Sequence, residues 1–378
     1  MIYRDFKGLQ LSLLGMGCMR LPVHDGNDAQ VNEAAVAEMV DYAMQHGVNY
    51  YDTAWGYHGG HSEAAVGKAL AKYPRESFFL ADKFPGYDLK NMDKVEEIFA
   101  QQLKRCGVEY FDFYMFHNVC EMNIDEYLDL RHGILPYLLS QKINGRIRHL
   151  GFSAHGALPV MRRFLEAYGE HMEFCQLQVN YVDWEFQQAA EKVALCTEYG
   201  LPVWVMEQLR GGQLVRLAEE DVARLRALRP AESQAGWAMR FLQGMPEVKV
   251  ILSGMSDLAQ MKENIAIFET MQPVDAAEKQ ALLDIAAEMV QRIALPCTAC
   301  HYCVSHCPQG LDIPTLLNLY NEHCFTGGGF IAPMLISSLP EDKRPAACLG
   351  CGSCEAVCPQ QLKIAAAMAD FAQKLAKK

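Results

Sequence analysis

Eight short apolar segments, separated by longer segments of helical period, set the strongest limit on how this chain of 378 residues folds. Apolar runs of strand length predict strands, and apolar residues repeating every three to four positions predict amphipathic helices. The predicted strands are residues 13–21, 48–54, 78–83, 111–117, 148–153, 174–180, 202–207 and 248–254. The predicted helices are residues 32–46, 62–72, 92–105, 125–143, 158–168, 187–199, 233–243 and 257–268. Eight strand-then-helix units over about 250 residues are typical of a (β/α)8 barrel.

A doubly wound open sheet also alternates strands and helices, and periodicity alone does not separate it from a barrel. The sequence has neither G-x-G-x-x-G nor a Walker motif after the first strand, which favours the barrel. A chain of this length exceeds what one core usually serves. We expect a barrel at 1–272, a linking helix within 273–296 that begins with Asp275 and Glu278 in capping-box spacing, and a small helical domain at 297–378.

Two cysteine runs near the C-terminus share one spacing, C-x2-C-x2-C-x3-C-P. They read CTACHYCVSHCP (297–308) and CLGCGSCEAVCP (348–359). A zinc site with four thiolates also uses CxxC pairs, but zinc requires neither the third cysteine of each run nor the proline after the fourth. Bacterial ferredoxins have this spacing, with three thiolates on one cluster and the fourth on the other. We therefore expect two 4Fe-4S clusters.

The crossed ligation of ferredoxins assigns a ligand set to each cluster. The first set is Cys297, Cys300, Cys303 and Cys358, and the second is Cys348, Cys351, Cys354 and Cys307. Helix-forming sequence follows each run, so the region resembles the helical two-cluster ferredoxin modules attached to dehydrogenases more than the compact βαβ ferredoxins. The glycines at 327–329 between the runs are interpreted as a flexible turn, with a nucleotide-binding loop as the weaker alternative.

Polar residues follow three successive strands, where a barrel places its catalytic side chains. They are Asp52, with Tyr57 five residues later in DTAWGY, then Lys83 in ADKF and His117 in YMFHN. Singly, each has a structural interpretation as a helix cap, a packing aromatic or a loop residue. Together, over residues 8–270, the order of the four resembles the catalytic tetrad of the aldo/keto reductase family.

The resemblance implies hydride transfer to a carbonyl, with Tyr57 as the acid that protonates the developing alkoxide. A free phenol has a pKa near ~10, and the adjacent Lys83 ammonium is expected to lower it. Asp52 is expected to hold Lys83 through a charge-assisted hydrogen bond, and His117 to orient the carbonyl oxygen.

The same resemblance implies a nicotinamide cofactor, NADPH or NADH. The implied cofactor residues are Ser153, Gln178, Met206, Ser253, Gly254, Ser256, Gln260, Glu263 and Asn264. Four positions depart from the family. The usual asparagine after Ser153 is missing, and Met206 stands where an aromatic commonly stacks on nicotinamide. The cations of NADPH-selective members are replaced by Gly254 and Gln260, with Lys262 the only nearby substitute.

A net charge of −12 argues against nucleic-acid binding. The sequence has no apolar stretch of the ~20 residues that a membrane span needs and no signal-peptide core near its N-terminus. Because thiolate ligands for iron require a reducing compartment, the protein is expected in the cytoplasm. The expected partners are a small carbonyl or alcohol substrate and a flavoprotein or ferredoxin. An electron-transfer protein whose barrel docks a redox partner is the alternative to an enzyme.

Overall fold

The structure, a computed structural model, describes residues 1–293, 295, 297 and 300–377. The chain forms two compact units, Met1–Ala281 and Leu282–Lys378. The division falls inside the segment 273–296 that the sequence analysis assigned to a linking helix. Residues 294 and 296 of that segment, and 298, 299 and 378 of the predicted domain 297–378, lie outside the described residues. The boundaries at 272 and 296 therefore stay predictions.

The first unit is a closed barrel, which confirms the predicted (β/α)8 architecture. Within the described residues, the eight barrel strands are β3 (Leu14–Gly17), β4 (Tyr50–Asp52), β5 (Phe79–Phe84), β6 (Phe111–Val119), β7 (Ile147–Ala154), β8 (Cys175–Gln178), β9 (Val203–Met206) and β10 (Val248–Ser253). They are parallel and pair in the order β10-β3-β4-β5-β6-β7-β8-β9. Each strand overlaps one of the eight predicted segments.

An antiparallel hairpin that the sequence analysis did not predict precedes the barrel. Strands β1 (Tyr3–Phe6) and β2 (Leu9–Ser12) pair around a two-residue turn. Both turn residues have positive φ, 53° at Lys7 and 86° at Gly8, as a tight hairpin turn of this length requires. Phe6 packs edge-on against Trp204 with ring centroids 5.1 Å apart. The hairpin therefore covers the end of the barrel where the strands begin.

Large side chains fill the barrel interior above this hairpin. Phe113, Phe174 and Trp204 lie in one buried cluster with aliphatic residues of neighbouring strands. Gly151 makes room for this packing, because a Cβ at that position would lie 2.6 Å from the Phe174 ring. The lower barrel is thus a packed core, and its polar residues lie at the other end.

Helices surround the barrel in the part of the chain that the structure describes. They are α1 (Glu33–Gln45), α2 (Ser62–Leu70), α3 (Val95–Cys106), α4 (Ile124–Leu128), α5 (Ile134–Ile143), α6 (Leu158–Tyr168), α7 (Asp183–Phe186), α8 (Ala189–Glu198), α9 (Glu219–Leu228), α10 (Gln234–Gln243) and α11 (Leu258–Ile267). Helices α7 and α9 were not predicted from the sequence.

The helix predicted at 125–143 is wrong as a single element. The chain forms α4 and α5 instead, separated by a turn in which Asp129 accepts a hydrogen bond from the Arg131 backbone at 2.9 Å. Gly133, the N-cap of α5, then takes a φ of 64°. A left-handed residue interrupts helical geometry, and glycine adopts it without the steric cost of a Cβ.

Helix α12 (Ala276–Ile293) begins with the predicted capping box. The Glu278 amide donates to Asp275 Oδ1 at 2.9 Å, and the Asp275 amide donates to Glu278 Oε2 at 2.9 Å. Arg229 also donates to the Glu278 carboxylate at 2.6 Å, which fixes the start of the helix to the barrel unit.

The second unit is helical and small, as the sequence predicts. Its helices beyond α12 are α13 (Ile313–Thr326), α14 (Ile331–Ser338), α15 (Ser353–Ala356) and α16 (Ile364–Ala376). Leu317, Met368 and Phe371 form the buried centre, and six of the eight cysteines of the two runs pack against this cluster. Gly327 ends α13 with a φ of 63°, as the predicted turn requires. No helix within the described residues is long and apolar enough to cross a membrane.

Candidate active site

Strand register brings the predicted catalytic residues to one end of the barrel. Asp52 lies opposite Ala81, and Lys83 lies opposite Met115. Met115 belongs to the interior cluster. Because residues two apart on a strand share a face, His117 points into the barrel like Met115, and Lys83 like Ala81. The three polar residues therefore form an inward-facing layer where the strands end.

Lys83 is the centre of this layer and is fully buried. Its Nζ donates to Asp52 Oδ1 at 2.5 Å and to the Thr53 carbonyl at 2.7 Å. Burial lowers the pKa of Lys83, but the Asp52 carboxylate and the Tyr57 phenol raise it by more, so the net shift is upward. Lys83 is therefore an ammonium at neutral pH, held by Asp52 as predicted.

Tyr57 follows β4 and lies beside this ammonium. Lys83 Nζ is 3.5 Å from the Tyr57 hydroxyl and 4.9 Å from the centroid of its ring. Burial raises the pKa of Tyr57, and the Lys83 charge lowers it by less. The lowering expected from the Lys83 ammonium is present, but the net shift of this pKa is upward because the barrel mouth removes water from the phenol. The hydroxyl consequently keeps its proton at neutral pH, with a cation placed to stabilise the phenolate.

His117 lies across the layer from Tyr57, with ring centroids 6.1 Å apart at an interplanar angle of 81°. The Tyr87 ring stands edge-on to it at 5.1 Å. Burial lowers the pKa of His117 well below its usual value, and the positive charge of Lys83 and the nearby His155 ring add to the effect. Its Nδ1 is shielded from solvent and meets no hydrogen-bond partner among the described residues. A neutral imidazole here can donate one N–H to a substrate oxygen.

Gln176 is a member of the site that sequence reasoning missed. Its Nε2 donates to Asp52 Oδ2 at 3.0 Å, the oxygen that Lys83 does not contact. The two residues are 124 positions apart, and barrel register alone brings them together. Gln176 thus fixes the carboxylate that fixes the lysine.

The residues predicted to contact nicotinamide lie at the ends of neighbouring strands. Ser153 is opposite Gln176, and Gln178 is opposite Met206, so all four share the inward face. Ser153 Oγ accepts a hydrogen bond from the Asn118 amide at 2.8 Å. The structure brings Ser153, Gln178 and Met206 to the barrel mouth.

The loop after β10 and the first turn of α11 contain the residues predicted to bind adenosine phosphate. The Asn264 side chain donates to Ser253 Oγ at 2.8 Å, and the Ser256 amide donates to Gln260 Oε1 at 3.0 Å. Asp257 caps α11 by accepting from the Gln260 amide at 2.8 Å. Glu263 is exposed on the helix. These hydrogen bonds between its own residues fix the conformation of the loop.

Arg20, which the sequence analysis did not single out, packs on this loop. Its side-chain carbons lie 3.3 Å from where a Cβ at Gly254 would stand, and its carbonyl accepts from Ser256 Oγ at 3.0 Å. Its guanidinium reaches the loop after β9, 3.8 Å from the Glu207 carboxylate. The expectation that Lys262 is the only nearby cation is therefore wrong, because Arg20, in the turn after β3, contacts Ser256 from 236 positions away in the chain.

The eight predicted cluster ligands surround two separate cavities in the second unit. One cavity is lined by Cys307, Cys348, Cys351 and Cys354. A second cavity is lined by Cys297, Cys300, Cys303 and Cys358. Each set takes three cysteines from one run and the last cysteine of the other, as the crossed assignment requires. Four sulfur donors around each cavity are the set that an iron–sulfur cluster needs.

Comparison with protein families matches both units. Residues 13–284 match the aldo/keto reductase family, and residues 296–363 match the 4Fe-4S dicluster domain.

Individual proteins give the same result. The chain is 30% identical over 206 residues to the probable aldo-keto reductase 1 of Glycine max, a match covering 52% of this chain and 56% of the soybean protein. It is 27% identical over 230 residues to the NADH-specific methylglyoxal reductase of Escherichia coli strain K12, covering 56% and 68%. The holo form of aldo-keto reductase AKR11C1 from Bacillus halodurans superposes with a TM-score of 0.61 at 25% identity, covering 74% and 93%.

Fold, site and comparisons together define a barrel oxidoreductase fused to a 4Fe-4S domain. The chain belongs to the aldo/keto reductase family, whose model spans most of its length.

Proposed function

We propose that the protein is a nicotinamide-dependent oxidoreductase acting on a carbonyl or alcohol, with Tyr57 as the proton donor. The observation that carries the proposal is the position of the buried Lys83 ammonium, 2.5 Å from Asp52 and 3.5 Å from the Tyr57 hydroxyl. A buried charge held beside a phenol stabilises the phenolate that remains after proton transfer. This arrangement has a direct use in carbonyl reduction.

Bound nicotinamide would supply the hydride, and the barrel residues would control the substrate oxygen. As negative charge develops on that oxygen, Tyr57 gives up its proton, and the Lys83 ammonium stabilises the phenolate. Neutral His117 donates a hydrogen bond that directs the oxygen toward Tyr57. Asp52 and Gln176 keep Lys83 in place through the reaction.

The residues at the strand ends fit a dinucleotide across the barrel mouth. Ser153, Gln178 and Met206 would contact the nicotinamide end, and the loop after β10 would contact the adenosine end. Arg20 lies between the loops after β9 and β10 and offers the cation that a phosphate requires. The name of the Escherichia coli relative specifies NADH. Arg20 could pair with a phosphate of either NADH or NADPH.

The two cysteine-lined cavities would each hold one 4Fe-4S cluster, with the first and second ligand sets as defined above. Such clusters pass single electrons. A flavoprotein or ferredoxin is the partner class that this chemistry fits. The match to the Glycine max protein spans little more than half of that protein. The activity and partners proposed for this chain are therefore argued from the residues of its own site.

The proposal is tested with purified, cluster-loaded protein under anaerobic conditions. Saturable quenching of tryptophan fluorescence by NADH or NADPH is expected, together with turnover in a panel of aldehydes, ketones and quinones. Failure to bind either dinucleotide and to turn over any carbonyl would overturn the proposal. That result would favour a barrel that docks a redox partner.

A further inference from the structure

A buried carboxylate beneath the barrel mouth holds one end of the Gln178 amide. Asp183 is 0% exposed and accepts three side-chain donors. Gln178 Nε2 donates to its Oδ2 at 2.7 Å, and Asn180 Nδ2 donates to the same oxygen at 2.6 Å. Arg210 Nε lies 3.0 Å from Oδ1 and 3.1 Å from Oδ2. With three donors around it, the group acts as an acceptor.

This environment decides which way the amide faces. A carboxylate cannot donate, so Gln178 must present its nitrogen to Asp183 and its oxygen to the opposite side. The Asn180 amide is itself fixed in orientation, because its Oδ1 accepts from the backbone amides of Val182 and Asp183 at 3.0 and 2.8 Å. Asn180 therefore offers no acceptor to the Gln178 nitrogen. The Gln178 oxygen is shielded from solvent and meets no donor in good hydrogen-bond geometry among the described residues.

The position of Gln178 gives this orientation a use. Gln176 points into the barrel and contacts Asp52, and Gln178 lies two residues later on the same strand. It therefore shares the inward face and stands one layer nearer the mouth, above the catalytic layer. The His155 ring lies beside the Gln178 side chain, and a hydrogen-bonding interaction between them opposes the lowering of the His155 pKa.

Arg210 makes the arrangement rigid. Its side chain is 2% exposed and forms an ion pair with Asp183 across the loop after β9. Its backbone has a φ of 47°, which is unusual outside glycine. Asn180 Nδ2 also donates to the Glu207 carbonyl in that loop at 2.9 Å. Packing and hydrogen bonds on several sides thus fix the carboxylate that orients Gln178.

We propose that Asp183 is a positioning residue that turns the Gln178 oxygen toward the carboxamide NH2 of the nicotinamide cofactor. The inference rests on the proposed function and adds a determinant of cofactor chemistry to it. A cofactor with a carboxamide donates to Gln178 Oε1, whereas one with an acetyl group presents a methyl there. One such hydrogen bond corresponds to about a two- to tenfold difference in Kd.

The test compares anaerobic dissociation constants of NADH and reduced 3-acetylpyridine adenine dinucleotide. The wild type is expected to prefer NADH by a factor in this range. Gln178→Leu removes the acceptor and should bring the two constants within about twofold. Asp183→Asn should do the same, because an asparagine amide can face Gln178 with either end and lets it flip.

Two further variants separate positioning from folding. If Asp183→Asn fails to fold because Arg210 loses its counterion, the double variant Asp183→Asn/Arg210→Gln removes both charges and should also lose the preference. Asp112→Asn is the matched control, since Asp112 pairs with Arg75 at 2.6 Å near the start of β6, away from the mouth. It should keep the wild-type ratio.

The outcomes are distinct. Loss of preference in the Gln178 and Asp183 variants, with the control unchanged, supports the proposal. A wild-type preference retained in Asp183→Asn or the double variant overturns the role of Asp183. Equal wild-type affinity for both dinucleotides overturns the inference and leaves the proposed function standing. Binding of neither dinucleotide removes the proposed function itself.

Discussion

Lys83 and Asp52 form an ion pair with side-chain exposures of 0% and 4%. A pair this buried costs desolvation of two charges, and it persists because each partner has further hydrogen bonds. Lys83 uses the Thr53 carbonyl, and Asp52 uses Gln176. Apolar residues of similar size would cost less to bury, so the pair is best explained by its effect on Tyr57.

Replacing Lys83 by Met leaves the Asp52 carboxylate buried without its cation. We expect the barrel to lose roughly 3–5 kcal/mol of unfolding free energy, because an uncompensated buried charge is costly. Turnover should fall as well, since the pKa of Tyr57 loses the contribution that lowers it. Tryptophan fluorescence in urea measures the first effect, and all four tryptophans lie in the barrel unit.

Lys68→Met is the matched control for that measurement. Lys68 pairs with Glu33 on the surface, with side-chain exposures of 72% and 52%. Exposed pairs contribute about 0–1 kcal/mol. Equal destabilisation by the two substitutions would show that the buried pair is not held as described.

His155 makes barrel stability depend on pH. Burial lowers its pKa to about 4, and the Lys192 charge adds to the effect; the unfolded value is about 6.5. Below pH ~6.5 the unfolded chain gains a proton that the folded chain does not. The stability that neutral, buried His155 allows is therefore fully present above pH ~6.5, and the unfolding free energy decreases as the pH falls toward 4. In His155→Gln, the unfolding free energy should depend less steeply on pH across this window.

The exposed His24 gives the control for this titration, because His24→Gln should leave the slope of the wild type unchanged. An unchanged slope in His155→Gln as well would mean that His155 is not buried in its neutral form.

Cys358→Ser should empty the cavity that Cys358 shares with Cys297, Cys300 and Cys303. Iron content is expected to fall from about eight to about four atoms per chain, with the remaining cluster held by the second run. Low-temperature electron paramagnetic resonance of the reduced protein distinguishes the two clusters. Cys324→Ser, which lies outside both cavities, should keep all the iron. Loss of the other cluster alone would refute the crossed assignment.

Reduced nicotinamide alone should not reduce the clusters. Nicotinamide transfers two electrons as a hydride, each cluster accepts one, and a flavin is the usual intermediary. The sequence contains no flavin signature. Anaerobic mixing of oxidised, flavin-free protein with NADH or NADPH should therefore leave the visible cluster absorbance unchanged over a turnover time. Prompt bleaching would show that the chain splits the electron pair itself.

Much of the fold could be predicted because each barrel strand lies in a short segment rich in apolar residues, and sequence of helical period follows it. The hairpin at Tyr3–Ser12 was missed because four-residue strands carry little periodicity, although the Lys7-Gly8 turn was a usable signal. The interruption at Gly133 was missed because an isolated glycine is tolerated inside a helical pattern. Local sequence does not show whether packing favours a continuous helix or a break at such a glycine.

The candidate site likewise contains residues that local sequence predicts and contacts that it does not. Asp52, Lys83 and His117 could be found because each lies at the end of a segment that predicts a strand. The contacts of Gln176 with Asp52 and of Arg20 with Ser256 join residues 124 and 236 positions apart. They depend on barrel register and closure, which no local pattern encodes. The net rise in the pKa of Tyr57 was also unpredictable, because burial at the mouth outweighs the charge of Lys83.

The most direct test of the account is the turnover of Tyr57→Phe, measured beside its affinity for the dinucleotide. The substitution keeps the ring and removes the proton. We expect turnover to fall by ~10²–10⁴, the loss typical of a missing general acid, while the Kd for the dinucleotide stays within about twofold of the wild type. Undiminished turnover with intact binding would contradict the assignment of Tyr57 as the acid.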